Sequence, residues 1–133
     1  MKYRSTRGGC DNLSFLDALL MGLAPDGGLL VPEETPQVET RIDQWRELGF
    51  VALAKEIIGL FVDDIPTGEL HRLIDEAYAT FEHDDVVGME KLGEIHLLEL
   101  YHGPTLAFKD VALQLLGRLF EYALSHRGQR LTI

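Results

Sequence analysis

The sequence predicts an α/β protein: a mostly helical N-terminal domain with one small β element over residues 1–90, then the opening βαβ of a second domain over residues 91–133. Three observations predict it. Apolar residues recur at helical spacing through much of the first half, most regularly at Leu70, Leu73, Ile74, Ala77, Tyr78 and Phe81. One turn-and-strand signal interrupts the helices, Pro25-Asp26-Gly27-Gly28 followed by Leu29-Leu30-Val31. After Phe81 the order becomes strand, loop, long helix, strand, which is the grammar of a parallel crossover.

Element by element, Ser5-Thr6-Arg7 reads as part of a short N-terminal strand. Ser14 is a helix cap answered three residues later by Asp17, and that helix runs to about Met21 and stops at Gly22. Pro25 presets φ, the following glycines permit φ > 0, and Leu29 to Val31 then makes a short buried strand ended by Pro32. Glu33 to about Thr40 is a polar connector. Ile42 to Leu48 is a short helical stretch carrying Trp45, and Gly49 separates it from an apolar helix over Phe50 to Val62. Thr67 caps the next helix. Glu82-His83-Asp84-Asp85 is a polar loop, Ile95 to Leu100 a strand, and Tyr101 to Ala107 a loop. Phe108 to about Ser125 is a long helix with Val111, Leu115, Leu119 and Tyr122 on one stripe. Gly128 stops it, and Arg130 to Ile133 begins another strand. A chain that ends inside an apolar strand is expected to be an N-terminal part of a longer protein.

Composition narrows the function classes. The 133 residues suffice for one domain with an ordinary core, or a smaller domain plus part of another. With 46% hydrophobic and 26% charged residues the chain has the composition of a globular protein and not of a disordered one. Lys and Arg total 12 against 22 Asp and Glu, a net charge of −10, which repels phosphate backbones and argues against nucleic acid as a partner. No uncharged apolar run approaches the ~18 residues that cross a bilayer, and none follows the basic N-terminus as a secretory signal would require. A lone Cys10 forms no internal disulfide, and these features together suggest a cytoplasmic protein. They leave the oligomeric state open.

The chemistry concentrates in His102-Gly103-Pro104-Thr105-Leu106-Ala107-Phe108-Lys109-Asp110. The Gly-Pro pair makes a sharp loop after a strand, and Thr105 or a neighbour is expected to cap the helix that follows. Lys109 then falls in the first helical turn, where unsatisfied N–H groups disfavour a cation. Desolvation by Phe108 and Val111 adds to this, and both effects favour a neutral, nucleophilic amine of the kind that condenses with an aldehyde cofactor. Asp110 opposes them, because an adjacent carboxylate favours the ammonium. These residues permit a reactive lysine and equally an ordinary surface lysine at a helix start.

Other candidates are weaker. His71, His83, His96, His102 and His126 lack metal-ligand spacing and Cys10 is remote from them, so no metal site is expected. His96 alternates with apolar residues as a structural histidine would, and His102 either steadies the lysine loop or touches a ligand. Asp63-Asp64 stands just before Pro66, where negative charge suits a helix start; Asp84-Asp85 lies in a polar loop.

Three ordered segments resemble threonine synthases: Tyr3-Arg4-Ser5-Thr6-Arg7-Gly8, Ala24 to Pro32, and Tyr101 to Asp110. The resemblance covers the whole chain. It implies a pyridoxal 5'-phosphate enzyme of the tryptophan-synthase-β-like fold, converting O-phospho-L-homoserine and water to L-threonine and phosphate. Lys109 matches the lysine that forms the Schiff base with the cofactor and then shuttles protons at the substrate α- and β-carbons. The glycines here are scattered and Gly27-Gly28 precedes a strand, not a helix, so no phosphate cradle is expected in this chain; the resemblance implies that the family's lies beyond the position matching Ile133. By itself, the chain is therefore expected to hold the cofactor poorly and to be inactive. Two alternatives stay open: a related pyridoxal-phosphate lyase that releases a keto acid from a phosphorylated amino acid, and a non-catalytic structural or interaction module.

Overall fold

The Ser14–Asp17 capping box forms as the sequence predicts. Ser14 Oγ accepts from the Asp17 amide at 3.2 Å while Asp17 Oδ2 accepts from the Ser14 amide at 3.1 Å, satisfying two orphan donors at one helix start. The computed structural model, which describes residues 1–130, shows this helix as α1 (Phe15–Met21), ended by Gly22 at φ +70°. The other elements are β1 (Tyr3–Ser5), β2 (Leu30–Pro32), α2 (Ile42–Trp45), α3 (Phe50–Gly59), α4 (Thr67–Tyr78), β3 (Gly88–Leu92), β4 (Ile95–Glu99) and α5 (Asp110–Arg127). The fold class is thus α/β, with mixed helices and small strands.

One hydrophobic core organises the helices. The predicted stripe of α4 buries Leu70, Leu73, Ile74, Ala77 and Tyr78, and it packs against α3 and against Leu115, Leu119 and Ala123 of α5. Each fully buried Leu or Ile contributes about 1.5–3 kcal/mol over its exposed state. Leu16 brings α1 into the same core, and at the far end of α5 Arg127 pairs with Asp17 at 2.6 Å. Tyr78 spans two elements, with its ring edge-on to Phe50 of α3 and its hydroxyl donating to the Val111 carbonyl of α5 at 3.1 Å.

Several boundaries differ from expectation for local reasons. Thr67 is the first residue of α4 and makes no cap hydrogen bond; Pro66, at φ −54° and ψ 136°, sets the entry, and its carbonyl accepts from Leu70 at 3.0 Å. Helix α3 ends at Gly59 and not at Val62, because Leu60 and Phe61 donate to Ile57 and Ile58 in a tighter last turn. Among the described residues strand β2 pairs antiparallel with β1 alone, Tyr3 opposite Pro32 and Ser5 opposite Leu30. It is half-buried, with Leu29 beside it 61% exposed, so the expected buried strand is in fact an edge.

The expected strand at Ile95 forms β4, but its partner among the described residues is β3, paired antiparallel with Met89 opposite Leu98 and Leu92 opposite Ile95. Sequence inspection missed β3, since Gly88-Met89-Glu90-Lys91-Leu92 shows no clear alternation; Gly93 at φ +66° makes the turn. His96 lies exposed opposite Lys91 and is no core histidine. The second strand of the expected crossover, to Ile133, falls largely outside the described residues. Among the described residues, no helix is long and apolar enough to cross a membrane.

Candidate functional site

The loop between β4 and α5 carries the candidate site. It leaves β4 beside a cluster in which Glu99 accepts from the Tyr101 hydroxyl and faces His102 Nε2 at 2.9 Å. The hydrogen bonds from Tyr101 and His102 hold the Glu99 carboxyl below its ordinary range, and the bond to Glu99 pushes the Tyr101 phenol up. His83 packs on His102 with ring centres 4.7 Å apart, and the Glu82 amide donates to the His102 carbonyl at 3.1 Å. His102 therefore steadies the base of the loop.

Beyond it the backbone turns twice. Gly103 passes so close to Asp110 that a Cβ at 103 would stand 2.4 Å from the Asp110 Cβ, which only glycine allows. Leu106 donates to the Gly103 carbonyl at 3.0 Å and adopts φ +59°, a left-handed conformation that a branched residue takes only under constraint. The constraint comes from Asp110, which is 2% exposed. Its Oδ2 accepts from the Thr105 amide and the Thr105 hydroxyl, both at 2.8 Å, and its Oδ1 accepts from Gln114 Nε2 at 3.1 Å. Burial by itself would raise the Asp110 pKa, but the bonds from Thr105 and Gln114 outweigh it and hold the carboxyl low.

This geometry corrects three expectations. Thr105 does not cap α5; it donates to a residue already inside the helix. Lys109 occupies the cap position itself, one residue ahead of the first turn, with helical backbone angles and no side-chain cap bond. Nor do Phe108 and Val111 desolvate it: Phe108 is 65% exposed and Lys109 is exposed as well. The Asp110 carboxylate itself is turned into the loop, where Thr105 and Gln114 engage it. None of the ion pairs within 4 Å among the described residues involves the Lys109 amine.

A second carboxylate cluster lies at the N-terminal hairpin. Asp26 accepts from the Ser5 hydroxyl at 2.8 Å, from the Gly28 amide at 2.8 Å and from the Gly9 amide at 2.7 Å, while Arg7 reaches its carbonyl at 3.0 Å. The Gly28 amide and the Ser5 hydroxyl hold this carboxyl low. Gly9 and Gly28 therefore spend their amides on Asp26 and cannot cradle a phosphate. Asp64 also differs from expectation, because its Oδ2 accepts from the Leu16 amide at 2.8 Å and so serves the start of α1, not the helix beside it. Sequence inspection missed Asp26, Asp64 and Asp110 as organisers. Only Asp26 carried a local signal, the Asp-x-Gly of an Asx turn.

A cofactor aldehyde fits what is present at Lys109: an exposed primary amine, in no ion pair among the described residues, on a loop held by Asp110. Comparison with known proteins places the chain in a family. A family model described as threonine synthase N terminus matches residues 2–78. The chain is 45% identical over 132 residues to the threonine synthase of Schizosaccharomyces pombe, covering 96% of this chain and 26% of that protein. It is 41% identical over 137 residues to threonine synthase-like 2 of Xenopus laevis, covering all of this chain and 29% of that protein. The crystal structure of PLP-bound threonine synthase from Brucella melitensis superposes on 98% of this chain with a TM-score of 0.93 at 47% identity, covering 29% of that structure. The chain thus spans less than a third of the length of these relatives.

Proposed function

This chain belongs to the threonine synthase N-terminal family, and from that premise we propose that it is the lysine-bearing part of an enzyme converting O-phospho-L-homoserine and water to L-threonine and phosphate. The single observation that supports this best is the exposed Lys109 amine at the entry to α5, in no ion pair among the described residues, on a loop whose shape Asp110 sets. Pyridoxal phosphate, when bound, supplies an aldehyde for attachment and a ring that withdraws electrons. In this reading Lys109 holds the cofactor through its Nζ atom. Once substrate displaces it, the same amine takes and returns protons at the substrate α- and β-carbons. The α4–α5 core holds α5 rigid and so gives Lys109 a fixed platform.

The described glycine pair Gly9 and Gly28 is engaged by Asp26, so the phosphate cradle belongs, in this proposal, to the length of the relatives that this chain does not span. A division near residue 90, where the β3–β4 hairpin begins, and a cytoplasmic setting are parts of the same proposal. The residues described leave a second reading open: a related pyridoxal-phosphate lyase using the same Lys109 and releasing a keto acid from a phosphorylated amino acid.

A chimera tests the function directly. This chain would replace the matching region of the Brucella melitensis enzyme, which it resembles over 98% of its length. The chimera should show the visible absorbance of lysine-bound cofactor and release L-threonine. Lys109→Ala should abolish the absorbance and lower activity by at least about 10²-fold, the scale of a lost general base. Retained absorbance in Lys109→Ala would refute the proposal, and a keto acid as product would select the second reading.

A further inference from the structure

We propose that Asp110 is the positioning residue of the lysine loop: its buried carboxylate ties Thr105 to the first turn of α5 and thereby fixes where the Lys109 amine stands. The functional half of this proposal rests on the reading of Lys109 given above; the structural half does not.

The donor set explains why a carboxylate is needed. The Thr105 amide is an obligate donor, and the Thr105 hydroxyl and Gln114 amide also donate to Asp110, at 2.8, 2.8 and 3.1 Å for the three contacts. An ionised carboxylate only accepts, so its oxygens match all three groups without a conflict. Burying such a charge is costly unless it is hydrogen-bonded in this way, so the site is stable only with the loop closed on it. Gly103 closes the opposite side, where any Cβ would collide with Asp110. The anchor is itself fixed, because Leu115, Leu119 and Ala123 bury α5 in the core and Tyr78 bonds to Val111 next to the carboxylate. Order thus passes from the core to α5, from Asp110 to Thr105, and around the loop back to Lys109. The same arrangement engages the carboxylate adjacent to Lys109 in sequence with Thr105 and Gln114.

Asparagine should restore part of this hold. It keeps one acceptor oxygen for the Thr105 amide and can face a reoriented Gln114, whereas alanine keeps nothing. The test compares Asp110→Ala, Asp110→Asn and Thr105→Val with the unaltered sequence, by two readouts. In this 133-residue chain, amide exchange at Thr105 and Leu106 should accelerate about tenfold in Asp110→Ala, the change that one hydrogen bond supports, while the amides of Leu115 to Ala123 hold. Asp110→Asn and Thr105→Val should fall between. In the chimera, Asp110→Ala should lower kcat about tenfold or more with little change in KM, and Asp110→Asn should recover part of it. Unchanged exchange at Thr105, equal acceleration throughout α5, or a loosened loop with unchanged kcat would each overturn the proposal. A chimera that keeps its absorbance without Lys109 refutes the function proposed above instead, and the exchange data then decide by themselves whether Asp110 holds the loop.

Discussion

Asp26 and Asp110 solve the same problem with different results. Each accepts hydrogen bonds from a hydroxyl and from backbone or amide N–H groups. Asp26 joins segments about twenty residues apart, from Ser5 and Gly9 to Gly28, and uses up the glycine amides in doing so. Asp110 reaches back only five residues to Thr105 and leaves the neighbouring Lys109 amine unengaged. One carboxylate therefore makes scaffold and, on the function proposed, the other presents the Lys109 amine. What separates them is the residue beside the anchor, since the anchoring chemistry is shared.

The largest effect should come from emptying the core on which α5 and the lysine loop rest. Ile74→Ala empties a fully buried site and should cost about 2–5 kcal/mol in chemical denaturation. Both carboxylate clusters should lose amide protection together in that variant. A narrower break comes from Gly28→Ala, whose Cβ would stand 2.2 Å from Ser5 Oγ and 3.1 Å from the Arg7 amide nitrogen. It should cost about 1–3 kcal/mol as an overpacked site and loosen the Asp26 cluster while the Lys109 loop keeps its protection.

Acid sharpens the comparison. Both carboxyls are depressed from 3.8 in the fold, Asp26 chiefly by the Gly28 amide and Asp110 by the Thr105 bonds that outweigh its burial. A depressed carboxyl contributes stability above its unfolded value of about 3.9 and loses it as pH falls through the folded value. Stability should therefore be level above about pH 5 and decline below about pH 4, a decline flattened in the Asp26→Asn, Asp110→Asn double variant. The smallest effect belongs to Ser14→Ala, which removes one half of a capping box and should cost about 1 kcal/mol, leaving both clusters intact.

Legibility in the sequence followed the range of the interactions. The Ser14–Asp17 box, the α4 stripe from Leu70 to Tyr78 and the stop at Gly22 rest on residues three or four apart, and periodicity or spacing reveals them. Strand β3 is invisible because its pairing with β4, not its own pattern, makes it a strand. Lys109 was legible as a candidate through the resemblance of Tyr101 to Asp110, while local physics left its reactivity open. Asp110 looked like a neighbour that would hold the lysine charged. That its carboxylate turns back to Thr105 depends on the close pass of Gly103, a three-dimensional fact with no mark in the chain. Asp64 likewise serves a helix 48 residues away, beyond the reach of any local pattern.

The central claim is that Lys109 carries the cofactor. Borohydride reduction of the cofactor-loaded chimera, followed by peptide mapping, tests it most directly. The account predicts one pyridoxyl adduct, on the peptide containing Lys109, with Lys2, Lys55 and Lys91 unlabelled. An adduct on any other lysine, or none, would contradict it.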